Sequence, residues 1–292
     1  MVFKKISINN ARDLVAIYDA FGQSSGAWFF RGHARSSWLL ESSFERYYHN
    51  YSCGPRGLTV GDIEKEMLSR FEPLSRRLSD RIPDNFDSLS RCCYLQHYGC
   101  ATRLLDITMN FYVACFFAVH DSGLGASDAC ASIWCFNNNK VKEFICNKGL
   151  EGLYSDLETY KIGINSTDHY FGKDFDAEEG VLLVGNQIDS DHQLEQNGGF
   201  LLGINSKIPT YDQIFNLYNI TGAQRSSATQ VLDLSVIDDI VRDNDVLQII
   251  VESKTVLVDC ERLIVKDMNW KRKNLLPRGI KSEFADLNDL FK

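Results

Sequence analysis

The chain has 292 residues, of which 44% are hydrophobic and 24% charged, a balance typical of a globular protein with a sizeable core. Its net charge of -8 does not favour attraction of the whole surface to nucleic acid, and no apolar run reaches the roughly eighteen residues of a membrane-spanning helix. The amino terminus lacks the apolar core and cleavage site of a secretory signal, so we expect a cytoplasmic protein without membrane contacts.

Charge is unevenly distributed along the chain. Residues 1–120 carry 14 basic and 12 acidic side chains, whereas residues 121–292 carry 17 and 27. Eleven of the sixteen arginines lie in the first part, and arginine suits bidentate recognition of phosphate or carboxylate, so we expect an anionic ligand to bind there. The nine cysteines are odd in number and mostly lie in apolar runs, which indicates reduced, buried thiols and no metal site.

The first elements alternate between strand and helix. A short edge strand is predicted at residues 6–8, and Asn9 or Asn10 then caps a helix that ends at Gly22. The aromatic run at residues 26–33 predicts a buried strand. We therefore expect the chain to begin with a strand, an amphipathic helix and a second strand.

Helices dominate the next segment. The spacing of apolar residues predicts a helix from residue 59 or 62 to residue 78, kinked at Pro73, and another from residue 87 or 88 to Gly99. Residues 102–106 are expected to be a short connector. A helix at residues 111–119 is apolar all round, which predicts a buried, central position.

The second half changes to strand-like patterns rich in branched residues. Polar loops are expected at residues 137–180 and 205–230, and terminal helices at residues 266–292. We predict a single α+β domain over residues 1–292, whose helix-rich first half packs on a mixed or antiparallel sheet in the strand-rich part at residues 130–265. The predicted strands of that part are 131–136, 180–185, 199–203, 247–251 and 255–258.

Several polar residues stand inside these apolar segments. Arg31 is either a strand-end side chain that reaches solvent or a ligand contact, since the glycine at position 32 would allow close approach. His97 follows a helix and either interacts with the helix dipole or takes part in chemistry. Arg103 and Asp106 are interpreted as an internal ion pair or a helix cap that braces the buried helix.

Four segments in this order resemble the FRG domain family, named for its Phe-Arg-Gly motif. They are Phe30-Arg31-Gly32, Leu95-Gln96-His97-Tyr98-Gly99, Thr102-Arg103-Leu104-Leu105-Asp106 and Phe116-Phe117-Ala118. The signature lies within residues 27–120, and residues 196–200 and 279–287 are similar to weaker later elements of the family. The resemblance therefore extends over most of the chain.

This resemblance implies kinship with the ADP-ribosyltransferase fold, and hence an NAD-using ADP-ribosyltransferase or NAD glycohydrolase that acts as a bacterial toxin or antiphage defence effector. NAD would be a substrate, and no metal is expected. Arg31 would clamp the pyrophosphate, while Glu195 or Gln196 would be the late-strand group near the scissile ribose bond. The implied NAD-binding residues are Phe30, Arg31, Gly32, Gln96, His97 and Tyr98.

Two other functions remain open. The same cleft could belong to a non-catalytic module that binds a nucleotide, nucleic acid or partner protein. A hydrolase or nuclease using His97 and Asp106 has weaker support. If the enzyme reading holds, the expected partners are a protein or nucleic-acid acceptor and a neutralising partner protein.

Overall fold

The computed structural model describes residues 3–50, 58–75, 87–97, 99–120, 130–148, 155–156, 161–162, 179–185 and 197–267. Their main feature is an eight-stranded mixed sheet with strand order β7-β8-β3-β2-β4-β10-β1-β9. The strands of this sheet are β1 (Phe3–Ser7), β2 (Trp28–His33), β3 (Leu104–Thr108), β4 (Ala131–Asn137), β7 (Val181–Gly185), β8 (Gly198–Gly203), β9 (Gln230–Val231) and β10 (Val246–Val251). Two short strands, β5 (Ser155–Asp156) and β6 (Lys161–Ile162), pair separately.

Helices cover both faces of the large sheet. The α-helices are α1 (Asp13–Gln23), α2 (Ser43–Asn50), α3 (Val60–Ser75), α4 (Ser88–His97), α5 (Phe111–His120), α6 (Asn139–Asn147), α7 (Thr210–Leu217), α8 (Gly222–Arg225), α9 (Ile237–Asp243) and α10 (Lys254–Arg262). A 3-10 turn at Leu234–Val236 precedes α9, and a π-helical turn at Leu263–Asp267 follows α10. None of the helices in the described ranges is both long enough and apolar enough to span a bilayer.

Strand β2 separates two hydrophobic cores because its side chains alternate between the faces of the sheet. Trp28 and Phe30 belong to a core formed with α1, α5, α9 and α10. Phe29 belongs to the core on the other face, which includes residues of α4, α6 and α7. Arg31 shares the parity of Phe29, so it leaves the strand on the face opposite α5.

Helix α5 lies directly against β2. Its start is capped by Asn110, whose Oδ1 accepts hydrogen bonds from the backbone N–H of Tyr112 (3.0 Å) and Val113 (3.4 Å). A Cβ added to Gly32 would lie 2.0 Å from the carbonyl oxygen of Ala114. The glycine therefore allows the helix backbone to approach the strand, and the predicted central position of this helix is confirmed.

The predicted α+β class with a mixed sheet is confirmed, but the sheet also takes β1, β2 and β3 from the first half of the chain. The connector predicted at residues 102–106 is wrong, since Leu104–Thr108 forms β3 between β2 and β8. The strand predicted at residues 255–258 is also wrong. Val256, Leu257 and Cys260 are buried there, and this spacing is helical despite the branched residues.

Smaller differences concern loops and ends. β1 lies one strand inside the edge, because β9 pairs beyond it. The first helix begins at Asp13. Asn10 Oδ1 accepts from the Arg12 backbone N–H (2.9 Å), and the Asp13 carboxylate accepts from the backbone N–H of Asn10, so Asn10 caps the turn that leads into the helix. The two predicted polar loops contain α6, β5 and β6, and α7 and α8. The predicted terminal helices after residue 267 lie outside the described residues.

Candidate functional site

Strands β2 and β3 diverge in the middle of the sheet. Both strands are fully described, and they pair at one position, Phe30 with Thr108. By contrast, β2 pairs with β4 along Trp28–His33, and β3 pairs with β8 along Leu104–Thr108. A gap therefore opens beside Arg31 within an otherwise continuous sheet.

The Arg31 side chain bridges this gap. Its Nη1 donates a hydrogen bond to the Asp106 carbonyl oxygen (2.5 Å) and lies 3.7 Å from Asp106 Oδ2. Its Nε donates to His33 Nε2 (2.9 Å). The Arg31 side chain is 16% exposed, whereas that of Asp106 is 65% exposed. The carboxylate thus stays open to solvent next to a largely enclosed cation.

Gln96, at the end of α4, holds the same carboxylate from the other side. Its Nε2 donates to Asp106 Oδ1 (2.5 Å), and its Oε1 accepts from the hydroxyl of Thr102. The polar residues of three sequence motifs therefore meet at Asp106. They are the arginine of Phe30-Arg31-Gly32, the glutamine of Gln96-His97 and the aspartate that ends Thr102–Asp106.

A cavity of about 380 Å³ occupies the gap. Helix α5 forms one apolar wall with Val113, Ala114 and Phe117, while Arg31 and Asp106 provide charged groups. An apolar cavity of this size with a few convergent polar groups is typical of small-molecule binding sites. Phe30, Gly32, Trp38, Ile107 and Thr108 also line it.

Burial controls the charge states around Arg31. Burial lowers the pKa of Arg31, Asp106 acts against this effect, and Arg46 adds to it. The guanidinium nevertheless remains protonated, because its starting pKa is so high. Burial, followed by the charges of Arg31 and Arg46, holds the pKa of His33 well below its usual value.

The hydrogen bond from Arg31 also sets the tautomer of His33. Because Nε2 accepts this bond, the neutral ring carries its proton on Nδ1. Nδ1 lies near the Trp38 backbone without a hydrogen bond of ordinary geometry. His33 is therefore a neutral acceptor that orients the Arg31 guanidinium.

The predicted ion pair between Arg103 and Asp106 is wrong. Arg103 Nε and Nη2 bind the two carboxylate oxygens of Glu64 at 2.6 and 3.1 Å, and Nη1 donates to the Gly203 carbonyl (3.1 Å). Residues three apart on extended chain point to opposite sides, which separates Arg103 from Asp106. The pair ties α3 to the sheet, away from the gap.

The other predicted site residues have different positions. Phe30 lines the cavity and packs edge-on against Phe111, with ring centroids 5.4 Å apart. Gly32 also lines it, although its close contact is with α5. His97 is the last residue of α4 and is half-buried. Tyr98, Glu195 and Gln196 lie outside the described residues.

Asn197 is the first described residue after Glu195 and Gln196. Its carbonyl accepts hydrogen bonds from Thr108 Oγ1 (3.3 Å) and from the Met109 backbone N–H (3.0 Å). Thr108 lines the cavity. The chain therefore enters β8 next to a residue of the candidate site.

Sequence reasoning missed the roles of His33, Trp38 and Arg46 in this region, and it named Asp106 only as a brace for the buried helix or as part of a hydrolase site. The polar segment after β2 contains an isolated tryptophan, which was the available signal for Trp38. No group of three or more histidine, cysteine, aspartate or glutamate side chains with metal-binding geometry occurs within the described ranges. The eight described cysteines are free thiols.

The fold and the site define an α+β protein with an arginine-bridged cleft between two diverging strands. Residues 26–124, which include β2, β3 and α5, match the family model of the FRG domain. This segment, about a third of the chain, is therefore similar to the FRG domain, and the resemblance predicted from the sequence is confirmed there. No curated protein and no solved structure is significantly similar to the chain.

Proposed function

We propose that the cleft between β2 and β3 binds NAD and cleaves its nicotinamide–ribose bond, as an ADP-ribosyltransferase or an NAD glycohydrolase would. The observation that carries this proposal is the placement of Arg31 and Asp106. An enclosed cation and an open carboxylate, 3.7 Å apart, face one largely apolar cavity. Binding of a charged substrate and stabilisation of a positively charged transition state require these two groups.

Arg31 supplies the binding charge. Its Nε and Nη1 are used by His33 and Asp106, but within the described part of the chain its Nη2 makes no hydrogen bond. Two N–H groups thus remain for a phosphate oxygen, on a guanidinium whose orientation is already fixed. A positioned guanidinium loses little side-chain entropy when it binds an anion.

Asp106 supplies the negative charge near the reacting carbon. When the bond between C1′ of the ribose and the pyridinium nitrogen breaks, its electron pair goes to nicotinamide and positive charge develops on the ribose. A carboxylate fixed by Gln96 and Arg31 stabilises that charge without reorganising. Water or an acceptor nucleophile then bonds to C1′ and loses a proton.

The apolar wall suits the nicotinamide ring. Phe30, Ile107 and Phe117 line the same cavity as Asp106, and aromatic rings favour stacked or edge-on contact with another ring. The cavity volume of about 380 Å³ lies within the usual range of about 300–1,000 Å³ for small-molecule sites.

Glu195 and Gln196 remain our candidates for a second polar group at the ribose. The hydrogen bond between the Asn197 carbonyl and Thr108 supports this choice, since Asn197 is the next residue in the sequence and contacts a cavity-lining residue. Tyr98 remains a candidate for stacking, and His97 for contact with the cofactor. These roles are proposals, as are a macromolecular acceptor, a neutralising partner and action as a toxin or defence effector.

A second candidate function is non-catalytic binding of a nucleotide. One observation favours it, because both carboxylate oxygens of Asp106 already have partners, Gln96 on Oδ1 and Arg31 near Oδ2. Such a carboxylate could serve only to position Arg31. In that case NAD binds without release of nicotinamide.

The test is release of nicotinamide from NAD by purified protein, together with transfer of label from NAD to candidate acceptors. We expect Asp106→Asn, which keeps the side-chain shape, to lower the rate about 100-fold or more, since loss of one transition-state contact typically costs about 2.7–4 kcal/mol. Asp239→Asn, on the exposed face of α9, is the control. A folded wild-type protein that binds NAD but neither cleaves it nor transfers label would support the binding module instead.

A further inference from the structure

A second cavity, of about 210 Å³, adjoins the first. The two cavities share Arg31, Gly32 and Trp38. The second is completed by Glu41 and Arg46, with His33 and Leu39. Arg31 thus lines both of these neighbouring cavities.

Arg46 adds a second cation to the smaller cavity. Its positive charge acts on both Arg31 and His33, lowering the pKa of each, which shows that the two guanidinium groups are close enough to interact. Arg46 Nη1 donates to the Glu41 carbonyl (2.7 Å). Its Nε and Nη2 make no hydrogen bond to any described residue. Two oriented guanidinium groups with unused donors favour a polyvalent anion such as pyrophosphate.

Trp38 gives the same cavity an exposed aromatic surface. The residue is 51% exposed, whereas Trp28 and Trp134 are buried. Its ring meets His33 edge-on at a centroid distance of 6.2 Å, and the residue follows a turn closed by a backbone hydrogen bond to the Arg35 carbonyl. An exposed indole beside two arginines is suited to stacking on a nucleobase.

Glu41 argues against the simplest alternative, a site for a bare inorganic anion. Its side chain lines the small cavity, and burial followed by the charge of Glu45 raises its pKa. A carboxyl group would oppose an isolated phosphate, but it accepts hydrogen bonds from ribose hydroxyls. Cations, a carboxyl and an aromatic ring together match a nucleoside diphosphate.

We propose that this smaller cavity, with the Trp38 ring at its rim, binds the ADP half of NAD. Arg31 and Arg46 contact the pyrophosphate. Glu41 accepts hydrogen bonds from the adenosine ribose, and the adenine base stacks on the indole of Trp38. The choice of NAD rests on the proposed function, whereas binding of ADP does not.

The fact that Arg31 lines both cavities supports this assignment. A ligand that fills both cavities would pass Arg31 near its middle, and NAD carries its two phosphates between its two nucleosides. The reactive nicotinamide half would then lie in the larger cavity beside Asp106. The smaller cavity alone could not enclose the whole dinucleotide, since about 210 Å³ is below the usual range of about 300–1,000 Å³ for ligand sites.

The experiment measures ADP binding to the full chain by calorimetry and by quenching of tryptophan fluorescence. We expect Arg46→Ala to weaken ADP binding about 10-fold or more, because a hydrogen bond to a charged group contributes about 1.5–3 kcal/mol. Trp38→Ala should weaken it about 5-fold to 100-fold, and Trp38→Phe less, since a ring remains. The control is Arg35→Ala, an exposed arginine that does not line the cavity.

Inorganic pyrophosphate is the second probe. We expect it to bind more weakly than ADP and to be insensitive to Trp38→Ala. Equal binding of pyrophosphate and ADP would overturn the roles of Trp38 and Glu41. Absence of ADP binding, or equal ADP affinity in wild type, Arg46→Ala and Trp38→Ala with native circular dichroism, would overturn the whole assignment.

This result is separable from the proposed function. ADP binding that requires Arg46 and Trp38, without nicotinamide release, would support the subsite and reject NAD cleavage. Nicotinamide release with an unchanged KM for NAD in Arg46→Ala would support cleavage and reject the subsite. If both proposals hold, Arg46→Ala raises KM for NAD, while Asp106→Asn mainly lowers kcat.

Discussion

Arg31 Nε donates to His33 Nε2 at 2.9 Å, so a cation that stays charged is oriented by a histidine that stays neutral. Protonation of His33 would remove the acceptor and place two positive charges in contact in a buried site. The sequence distance between the partners is two residues, which along a strand puts both side chains on the same face. Because both residues belong to β2, the strand itself fixes the orientation of the Arg31 guanidinium.

The first prediction concerns acid stability. The unfolded chain protonates His33 below pH about 6.5, whereas the folded protein resists protonation to a much lower pH, because its pKa is lowered by burial and by Arg31. Between the pKa of His33 in the folded protein and its pKa in the unfolded chain, the unfolded state therefore binds more protons. The free energy of unfolding consequently falls as the pH decreases, by up to about 1.4 kcal/mol per pH unit. Urea unfolding between pH 7.5 and 5 measures this slope.

His33→Gln is expected to remove this part of the slope, since glutamine can still accept from Arg31 but does not titrate. The control is His49→Gln, which removes a histidine at an exposed position in α2. An identical pH dependence in wild type and His33→Gln would contradict the prediction.

The second prediction concerns the glycine of the Phe-Arg-Gly motif. Gly32→Ala places a methyl group within 2.0 Å of the Ala114 carbonyl oxygen, a backbone atom that cannot rotate away. We expect a loss of at least about 1–3 kcal/mol in the free energy of unfolding, the usual cost of overpacking a core. The matched variant is Gly22→Ala in α1, where a Cβ meets nothing within 4 Å.

Gly22→Ala should instead stabilise the protein by about 0.5–1 kcal/mol, because alanine loses less backbone entropy in a helix. Chemical denaturation of the two variants gives both values. Equal effects at the two glycines would show that α5 can move away from β2 at little cost.

The third prediction concerns the buried ion pair of Arg103 and Glu64. The two side chains are 5% and 4% exposed. Glu64→Gln removes the carboxylate that binds the buried guanidinium through both of its oxygens, and breaking such a pair typically costs about 3–5 kcal/mol. The control is Glu66→Gln, which breaks an exposed pair with Arg70 on the same helix and should cost less than about 1 kcal/mol.

Thermal and urea unfolding of both variants provide the comparison. A cost for Glu64→Gln no larger than that for Glu66→Gln would mean that the other contacts of Arg103, such as the Gly203 carbonyl, satisfy it without the charge of Glu64. In either case the cleft residues are unaltered, so this variant also tests whether the anchoring of α3 influences ligand binding.

The fourth prediction concerns Gln96 as a positioning residue for Asp106. Gln96→Met keeps a similar length but cannot donate to Asp106 Oδ1 or accept from Thr102. If the protein cleaves NAD as proposed, we expect kcat to fall about 10-fold with little change in KM, because the transition-state carboxylate is less well fixed. Unfolding of the variant in urea separates this effect from a loss of stability. A change confined to KM would assign Gln96 to substrate binding.

Local patterns in the sequence were sufficient for much of the fold. The all-apolar composition of residues 111–119 predicted a buried helix, and the aromatic run at residues 26–33 predicted β2. Predictions of secondary structure were wrong where residue type and the spacing of apolar residues favoured different elements. Residues 255–258 are rich in branched side chains, yet the burial of Val256, Leu257 and Cys260 follows the helical repeat, and packing against α5 decides the outcome.

The candidate site was less predictable because its contacts join distant parts of the chain. Arg31 and Asp106 are 75 residues apart, and Arg103 and Glu64 are 39 apart. Sequence spacing favoured pairing Arg103 with its near neighbour Asp106, but the register of β3 against β8 turns the two away from each other. That register is set by the whole sheet.

The single pairing of Phe30 with Thr108 has a mechanical consequence. It divides the sheet into a ladder of three strands, β7-β8-β3, and a ladder of five, β2-β4-β10-β1-β9. The two ladders are joined only at this one paired position of β2 and β3. Helix α5 contacts both β2 and β3 and thus holds the two ladders together at this joint. A ligand in the cavity between the ladders would add contacts across this joint, so occupancy of the cleft and stiffness of the sheet are expected to rise together.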